Sequence, residues 1–538
     1  MNAKRPVTVS ASRTIITATS AFTLSLCTPW VAAQGNGLAL EEVIVTATKR
    51  ESNLQDVAVA VTALGESLIR DARITTAEDL TFLVPSLNLQ RGGNARSTSF
   101  SIRGIGTQSF SSAVEPSVST MLDGVVLGRS AQAFMQLLDI ERVEVLRGPQ
   151  GTLFGKNSTG GVVHIITKKP SDSFTAEVMG SVVEGDEYRA GVSLSGPITD
   201  NVGYRMSAVG TSIDGYTRNV FDGNDYNGEE SISVRGKLRW LPTDNVEVIW
   251  ASDYSERDSD GTASPIIQIQ PFGGNEQQVQ DFFDLLDPVV VSKKNTQVNI
   301  NKIPFNKNDQ SGHSLEINWD IDGYTLTSIS ALRKFEVNTF GDLDNLPIDS
   351  FGADQFGGSE QEQFTQEIRI ASPASDTLNY VAGAYYFDQK IERTFQRQFE
   401  IIAGSPGVAI ADFEVDTRNW ALFGEMTWAL ADNWRLIVGA RYTEDELDFT
   451  FERSSQGPLI GIPKEIPSTP GGTSEEDLSG KLVLQWDFTD EGMAYVSYAQ
   501  GYKGPAFDVA FGIDPVGLER VEPETSDSYE IGFKNTFW

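Results

Sequence analysis

The sequence has 538 residues, a formal net charge of −32, 40% hydrophobic residues, 10% aromatic residues and 49 glycines. The acidic excess argues against a nucleic-acid partner, because a phosphate-binding surface needs Lys and Arg, and so many aromatics exclude a disordered chain. At roughly 150 residues per domain, the length allows three or four soluble domains or one very large barrel.

Residues 1–33 read as a secretory signal. Lys4, Arg5 and Arg13 supply the positive region, Ile15 to Cys27 a mostly apolar stretch, and Val31, Ala32 and Ala33 small residues for cleavage. An N-terminal membrane anchor is the other reading. Cys27 is the only cysteine, and the bulky Leu26 before it speaks against a lipoprotein signal. Cleavage would leave no cysteine, which excludes disulfides, thiolate metal sites and a Cys nucleophile. After residue 33 the chain has no apolar stretch of about 18 residues, so a helical membrane span is not expected. If the chain sits in a membrane, a closed barrel must satisfy its backbone hydrogen bonds.

Residues 34–52 follow the cleavage site and contain the run from Glu41 to Thr48. Val43, Ile44 and Val45 are β-branched, on a free end with few competing local interactions. Such a segment can add as a strand to the sheet edge of a partner. The alternative is an ordinary first strand of the next domain.

Residues 53–170 mix short helical and strand patterns, which predicts a compact α+β domain. Ala77 to Leu83 reads as a helical turn behind the caps Thr75 and Thr76. Phe100 to Ile102, Val118 to Leu122, Val143 to Val145 and Val162 to Ile166 read as short strands separated by Gly-containing turns. Gly151 to Lys156 invites a phosphate-loop reading, but the glycine spacing is too short and Asn157 stands where Ser or Thr is needed. Its glycines are better read as close backbone approaches to the domain itself and to a surrounding wall.

Residues 171–538 show long alternating strands. Trp434, Leu436, Val438, Ala440 and Tyr442 fall on one face, and Arg435, Ile437, Gly439, Arg441 and Thr443 on the other. The preceding strand sets Trp420, Leu422, Met426, Trp428 and Leu430 against Ala421, Phe423, Glu425 and Thr427. One apolar face and one mixed face suit a lipid-facing barrel wall, with aromatics at the strand ends as a girdle. A soluble β-sandwich is the competing reading. Short turns recur at Thr199–Asn201, Thr243–Asn245, Asp322–Gly323, Ser375–Thr377, Ala431–Asn433 and Thr489–Glu491. The intervals hold two strands and one long loop each, for about 14 strands ending in Ser526 to Trp538. Long loops are expected from about Glu256 to Ser311 and from about Asn338 to Gln363.

The chain has two histidines. His164 alternates with Val163 and Ile165 and reads as structural, and so few histidines leave no ground for a Ser–His hydrolase. No Asp/Glu cluster has a convincing metal-ligand spacing. Asp222 to Glu230 could take Ca²⁺ through oxygens, or is a plain acidic surface loop. No catalytic residue, cofactor or metal is assigned.

Four ordered segments resemble TonB-dependent outer-membrane receptors: Ser101 to Gly106 (SIRGIG), Leu122 to Gly128 (LDGVVLG), Ile140 to Leu146 (IERVEVL) and Arg147 to Pro170 (RGPQGTLFGKNSTGGVVHIITKKP). In that family they belong to a plug domain lodged inside a transmembrane barrel. Glu42, Val43, Ile44, Val45, Thr46 and Ala47 resemble the TonB box, the segment that the TonB protein pairs with. The resemblance implies a mainly β fold in the cell outer membrane, with outer-membrane lipids, the TonB energy-coupling protein and an extracellular small solute as partners and no nucleic acid. It implies plug–wall contacts at Arg103, Glu144 and Arg147. It also implies ligand contacts on two plug loops, at Arg91, Arg96, Gln108 and Phe110, where the arginines would suit a ferric chelate.

The implied activity is TonB-dependent uptake of a scarce solute, a ferric siderophore by default. Glycan or cobalamin uptake, a passive porin or surface-binding barrel, and an outer-membrane hydrolase are the rivals. Family barrels have about 22 strands. A closed barrel of about 14 strands is roughly 30 Å wide and one of about 22 roughly 47 Å. A plug of this size is roughly 35 Å across, so the 171–538 wall is expected to be incomplete, lacking about eight C-terminal strands.

Overall fold

The computed structural model describes residues 44–91, 98–107, 110–134, 136–270, 276–348, 352–400, 405–458, 462–489, 491–512 and 518–536. The signal segment, Glu42, Val43, Arg96 and Gln108 lie outside the described residues.

The N-terminal domain is built on a five-stranded sheet ordered Val61–Gly65, Ile140–Arg147, Gly161–Thr167, Val118–Leu122, Val125–Leu127. Gly161–Thr167 pairs parallel with Val118–Leu122 and antiparallel with Ile140–Arg147. Alternation sends Val143, Val145, Val163 and Ile165 to one face, against Leu80, Leu87, Phe100, Ile102 and Phe134. Leu146 and Val162 pack on the other face with Val45, Val57, Leu153 and Phe154. The expected helical turn forms as a short 3₁₀ turn, Ala77–Asp79, running into Leu80–Leu83. Thr76 and Asp79 cap it reciprocally, satisfying two N-terminal N–H groups.

The remainder is one 14-stranded antiparallel sheet, from Thr175–Val183 to Glu524–Asn535, in which neighbours in sequence are neighbours in space. Tight turns fall at the expected Thr199–Asn201, Thr243–Asn245, Asp322–Gly323 and Ala431–Asn433. The strands are longer than expected: Gly407–Ala431 has 25 residues and Ile466–Thr489 has 24. A bilayer needs only about 9–11 residues per strand, so the hairpins project well beyond it. Much of 338–363 is therefore ladder rather than loop, with Asp342 opposite Asp354. Polar alternation above the bilayer pairs as well as apolar alternation within it.

Outside, Trp420, Leu422, Met426 and Trp428 are exposed while Ala421, Phe423 and Glu425 between them are buried. Trp434 stacks on Trp486 at 5.8 Å and Phe488 on Phe533 at 5.4 Å, one aromatic row near the short turns. Trp420 with Tyr442, at 5.4 Å, and Phe364 with Tyr386, at 6.3 Å, form a second. From Trp428 up to Trp420 is roughly 27 Å along the strand, or about 20 Å of height at the usual strand tilt, close to that of a lipid-facing band.

Inward-facing side chains from Arg205 to Lys534 reach the N-terminal domain, so the sheet wraps around it. Among the described residues, Thr175–Val183 and Glu524–Asn535 each pair on one side only. Among the described residues the wall is therefore an open sheet wrapped round the plug.

Candidate functional site

The described part of the Glu42–Ala47 segment is not a free end. Ile44–Val45 pairs antiparallel with Ser52–Asn53. Val45 is 0% and Ala47 2% exposed, both in the apolar cluster beneath the plug sheet. The Thr46 N–H donates to both Glu144 oxygens, at 2.8 and 3.0 Å, and the Thr46 hydroxyl donates to Oε1 at 3.2 Å. The physical reason is direct: the β-branched residues that suit a partner's sheet edge also suit the plug's own underside.

The three expected plug–wall residues divide. Arg103 reaches the wall, with Nη1 at 3.0 Å from Glu530. Glu144 does not. It is fully buried within the plug, where it also accepts from Arg142 Nε at 2.8 Å. Arg147 donates to Thr62, another plug residue, at 3.2 Å. Both lie on the strand Ile140–Arg147, which has a plug strand on each side, and their hydrogen-bond partners are plug residues.

Other charges make the junction. Lys49 pairs with Glu367 at 2.9 Å, Asp123 with Lys237 at 3.0 Å, and Asp139 with Arg205. Lys156 sits between Asp445 of the wall, at 2.6 Å, and Glu115 of the plug, at 2.8 Å. Lys534 Nζ donates to the Leu54 and Val57 carbonyls at 2.7 and 2.6 Å. Burial lowers the Lys49 ammonium's pKa, against the opposing pull of Glu367. Burial alone would raise the Asp123 carboxyl, but Lys237 and Arg235 override it and hold it at about 2. A signal for these wall positions existed: charges on the strand face that alternates with the apolar one, as at Arg205, Lys237, Glu367 and Asp445.

The glycine reading of the closing motif holds. A Cβ on Gly151 would stand 3.1 Å from the Gln500 carbonyl of the wall, and one on Gly155, at φ +87°, 3.0 Å from Arg441. His164 is structural: its Nε2 accepts from the Gly124 N–H at 3.0 Å, and burial lowers its pKa to about 4. Beside the docked segment, a cavity of about 440 Å³ runs between plug and wall, lined among others by Thr46, Lys49, His164, Lys237 and Arg369.

At the long-loop end, Arg91 is exposed and paired with Glu78 at 2.9 Å. Phe110 projects outward at 56% exposure. The Phe110 carbonyl accepts from Arg393 Nη1 at 3.0 Å. The Ser111 hydroxyl donates to the Phe507 carbonyl at 2.7 Å and accepts from the Val509 N–H at 3.0 Å. Below lies an arginine–aromatic cluster that sequence reasoning missed. The Arg393 guanidinium lies 4.9 Å from the Phe413 ring centre and that of Arg397 5.1 Å from Phe511. Among the described residues neither arginine has a carboxylate ion-pair partner, and burial lowers Arg393 to about 10. The signal was in the period: Arg393, Phe395, Arg397 and Phe399 share one strand face.

Two acidic regions also resolve. In the Asp222 loop, the carboxylate is taken by Tyr226 and by the Asn224 N–H at 3.0 Å, which satisfies it locally. Contrary to the expectation of no metal-like cluster, Asp342, Asp344 and Asp354 bring carboxylate oxygens within 4.8 Å of one another. They are spread over two strands and a turn, so linear spacing hides them.

A girdled transmembrane wall gripping a plug, with a β-prone N-terminal segment docked against it, defines a plugged outer-membrane receptor. The chain belongs to the TonB-dependent receptors: residues 53–162 match the TonB-dependent receptor plug domain and residues 250–538 the TonB-dependent receptor-like β-barrel. It is 25% identical to the pesticin receptor of Yersinia pestis over 506 residues, covering 91% of this chain and 67% of that protein. It is 22% identical to the ferrioxamine receptor of Yersinia enterocolitica over 447 residues, covering 77% of this chain and 57% of that protein. Among solved structures it is similar to the ferric yersiniabactin uptake receptor of Yersinia pestis, with a TM-score of 0.74 and 23% identity over 89% of this chain and 70% of that one. The siderophore receptor PiuA of Acinetobacter baumannii gives 0.69 and 16% over 90% and 71%.

Proposed function

We propose that the protein imports a ferric siderophore across the outer membrane, driven by TonB pairing with the Glu42–Ala47 segment. The protein acts as a transport receptor in the outer membrane, and import calls for no covalent chemistry. The observation that carries the reading is the docking of Thr46 on Glu144 within a plug held to the wall by charges. Pulling on that segment acts directly on the plug, beside the cavity at Lys49 and His164. At the outer end, Arg393 and Arg397 place positive charge that has no carboxylate partner among the described residues near the exposed Phe110, which favours an anionic, ring-bearing chelate. The similarity to siderophore receptors points to the same solute class. We assign residues 1–33 to the leader, 34–52 to the coupling segment, 53–170 to the plug and 171–538 to the wall. The docked state of residues 44–52 is then the resting state of that segment.

Deleting Glu41–Thr48 tests the reading in cells supplied with iron-55 siderophores. Uptake should stop while surface binding persists. Uptake that continues unchanged would instead mark a passive pore. Growth of a deletion strain on single iron and carbon sources separates siderophores from glycans and cobalamin.

A further inference from the structure

The strand Tyr324–Asp342 ends beside the start of Gly352–Ala371, so Asp342 faces Asp354 across the ladder. Asp344 lies in the turn between them. Part of each carboxylate is used locally. Asp342 Oδ1 accepts from the N–H groups of Asp344 and Asn345 at 3.2 and 3.3 Å. Asp344 accepts from Leu346 N–H at 2.9 Å and Ala353 N–H at 2.8 Å. Lys302 Nζ donates to Asp354 Oδ2 at 2.5 Å.

Two oxygens remain. Among the described residues, Asp342 Oδ2 and Asp354 Oδ1 are sealed from solvent and have no hydrogen-bond partner. Asp342 as a whole is 9% exposed, so this is a buried carboxylate with an unanswered lone pair, not a surface acid. Such groups are rare because desolvation without a partner is strongly unfavourable. One ammonium among three carboxylates leaves a formal excess of negative charge around them.

We propose that Asp342, Asp344 and Asp354 hold one hard divalent cation of the calcium type at the outer hairpin. The donor set is oxygen only, which disfavours the softer transition metals. Ligands on strand ends and a turn adapt more readily to the loose shell of Ca²⁺ than to the strict octahedron of Mg²⁺. The site also joins two loops. Lys302 comes from the segment that carries the helix Glu276–Leu286, and Leu286 and Val289 pack on Leu346 beside Asp344. A bound ion therefore stiffens the rim of the outer mouth.

The test uses the chelator-treated full chain in detergent and calcium-45 equilibrium dialysis. One ion per chain should bind, with Kd in the range of about 10⁻⁴–10⁻³ M found for extracellular modules. Asp342→Asn and Asp354→Asn should each weaken it by on the order of tenfold, through loss of ligand charge. Asp222→Asn should leave it unchanged. In the unaltered chain, calcium should slow amide hydrogen exchange at Asp344–Leu346, reversed by chelator, which keeps the test valid if a variant misfolds. No saturable binding, binding untouched by Asp342→Asn, or exchange indifferent to calcium would each overturn the proposal.

Discussion

The Thr46 N–H lies 2.8 and 3.0 Å from the two carboxylate oxygens of Glu144, a residue with no exposed surface and 98 positions away in sequence. A charge-assisted bond of this kind contributes about 1.5–3 kcal/mol. Glu144→Gln keeps the shape and removes the charge, so residues 44–47 should detach more often. Hydrogen exchange at the Thr46 amide should quicken roughly tenfold or more, since about 1.4 kcal/mol is a factor of ten. Unchanged exchange would show that Val45 burial alone holds the segment.

Lys49 and Glu367 form a buried pair, with side chains 6% and 7% exposed. Removing one partner leaves a buried charge, a loss of about 3–5 kcal/mol in comparable cases. Glu367→Gln should therefore loosen the plug, read as a lower urea midpoint for plug protease resistance. Glu367 also pairs with Arg369 at 2.6 Å, so Lys49→Met, Glu367→Leu and Arg369→Leu together should recover most of it. A triple variant as weak as the single one would disprove the ion-pair account.

His164 carries a pH signature. Its folded pKa, about 4, lies below the usual value of 6.5 because burial opposes the charged ring. Between those values the unfolded chain binds more protons, so stability rises with pH across that window and falls as pH drops from 6.5 towards 4. The full effect is of order 3 kcal/mol. His164→Gln, with an acceptor for the Gly124 N–H, should flatten this acid limb in plug unfolding followed by protease resistance.

A Cβ on Gly161 would stand 2.2 Å from the Leu146 carbonyl oxygen, at a φ of +144°. The obstacle is backbone within the central sheet and cannot swing aside. Gly161→Ala should leave the plug open to protease while the wall still migrates as a folded, heat-modifiable band. A protease-resistant plug would mean that Ile140–Arg147 shifts to make room.

Neutralising the outer arginines tests the solute reading. Arg393→Gln with Arg397→Gln should weaken binding of an anionic ferric siderophore by about 1–3 kcal/mol, the range for one or two charged contacts, without affecting a neutral chelate. Equal loss for both would assign the arginines a purely structural role at Phe110 and Phe511.

The plug was legible because its motifs are local: Ile140 to Leu146 and Gly161 to Thr167 each carry their own alternation. The wall was legible because Trp420 to Leu430 and Trp434 to Tyr442 repeat one period against lipid. Long-range pairings left no trace in a single chain. Glu144 reads as a wall contact until Thr46 is found on it. Asp342 and Asp354 meet only through ladder register, and the strand ends near Gly352 were hidden by polar composition that resembles loop.

The seam between stopper and wall carries carboxylates, ammonium groups and amides at Glu367, Lys237, Asp445 and Lys534, beside apolar contacts such as Val125 on Ile329. Each of those partners accepts a water molecule in place of its mate. Along these bridges, parting plug from wall would replace each pair with solvent in small steps, while the apolar contacts between them would part as surface.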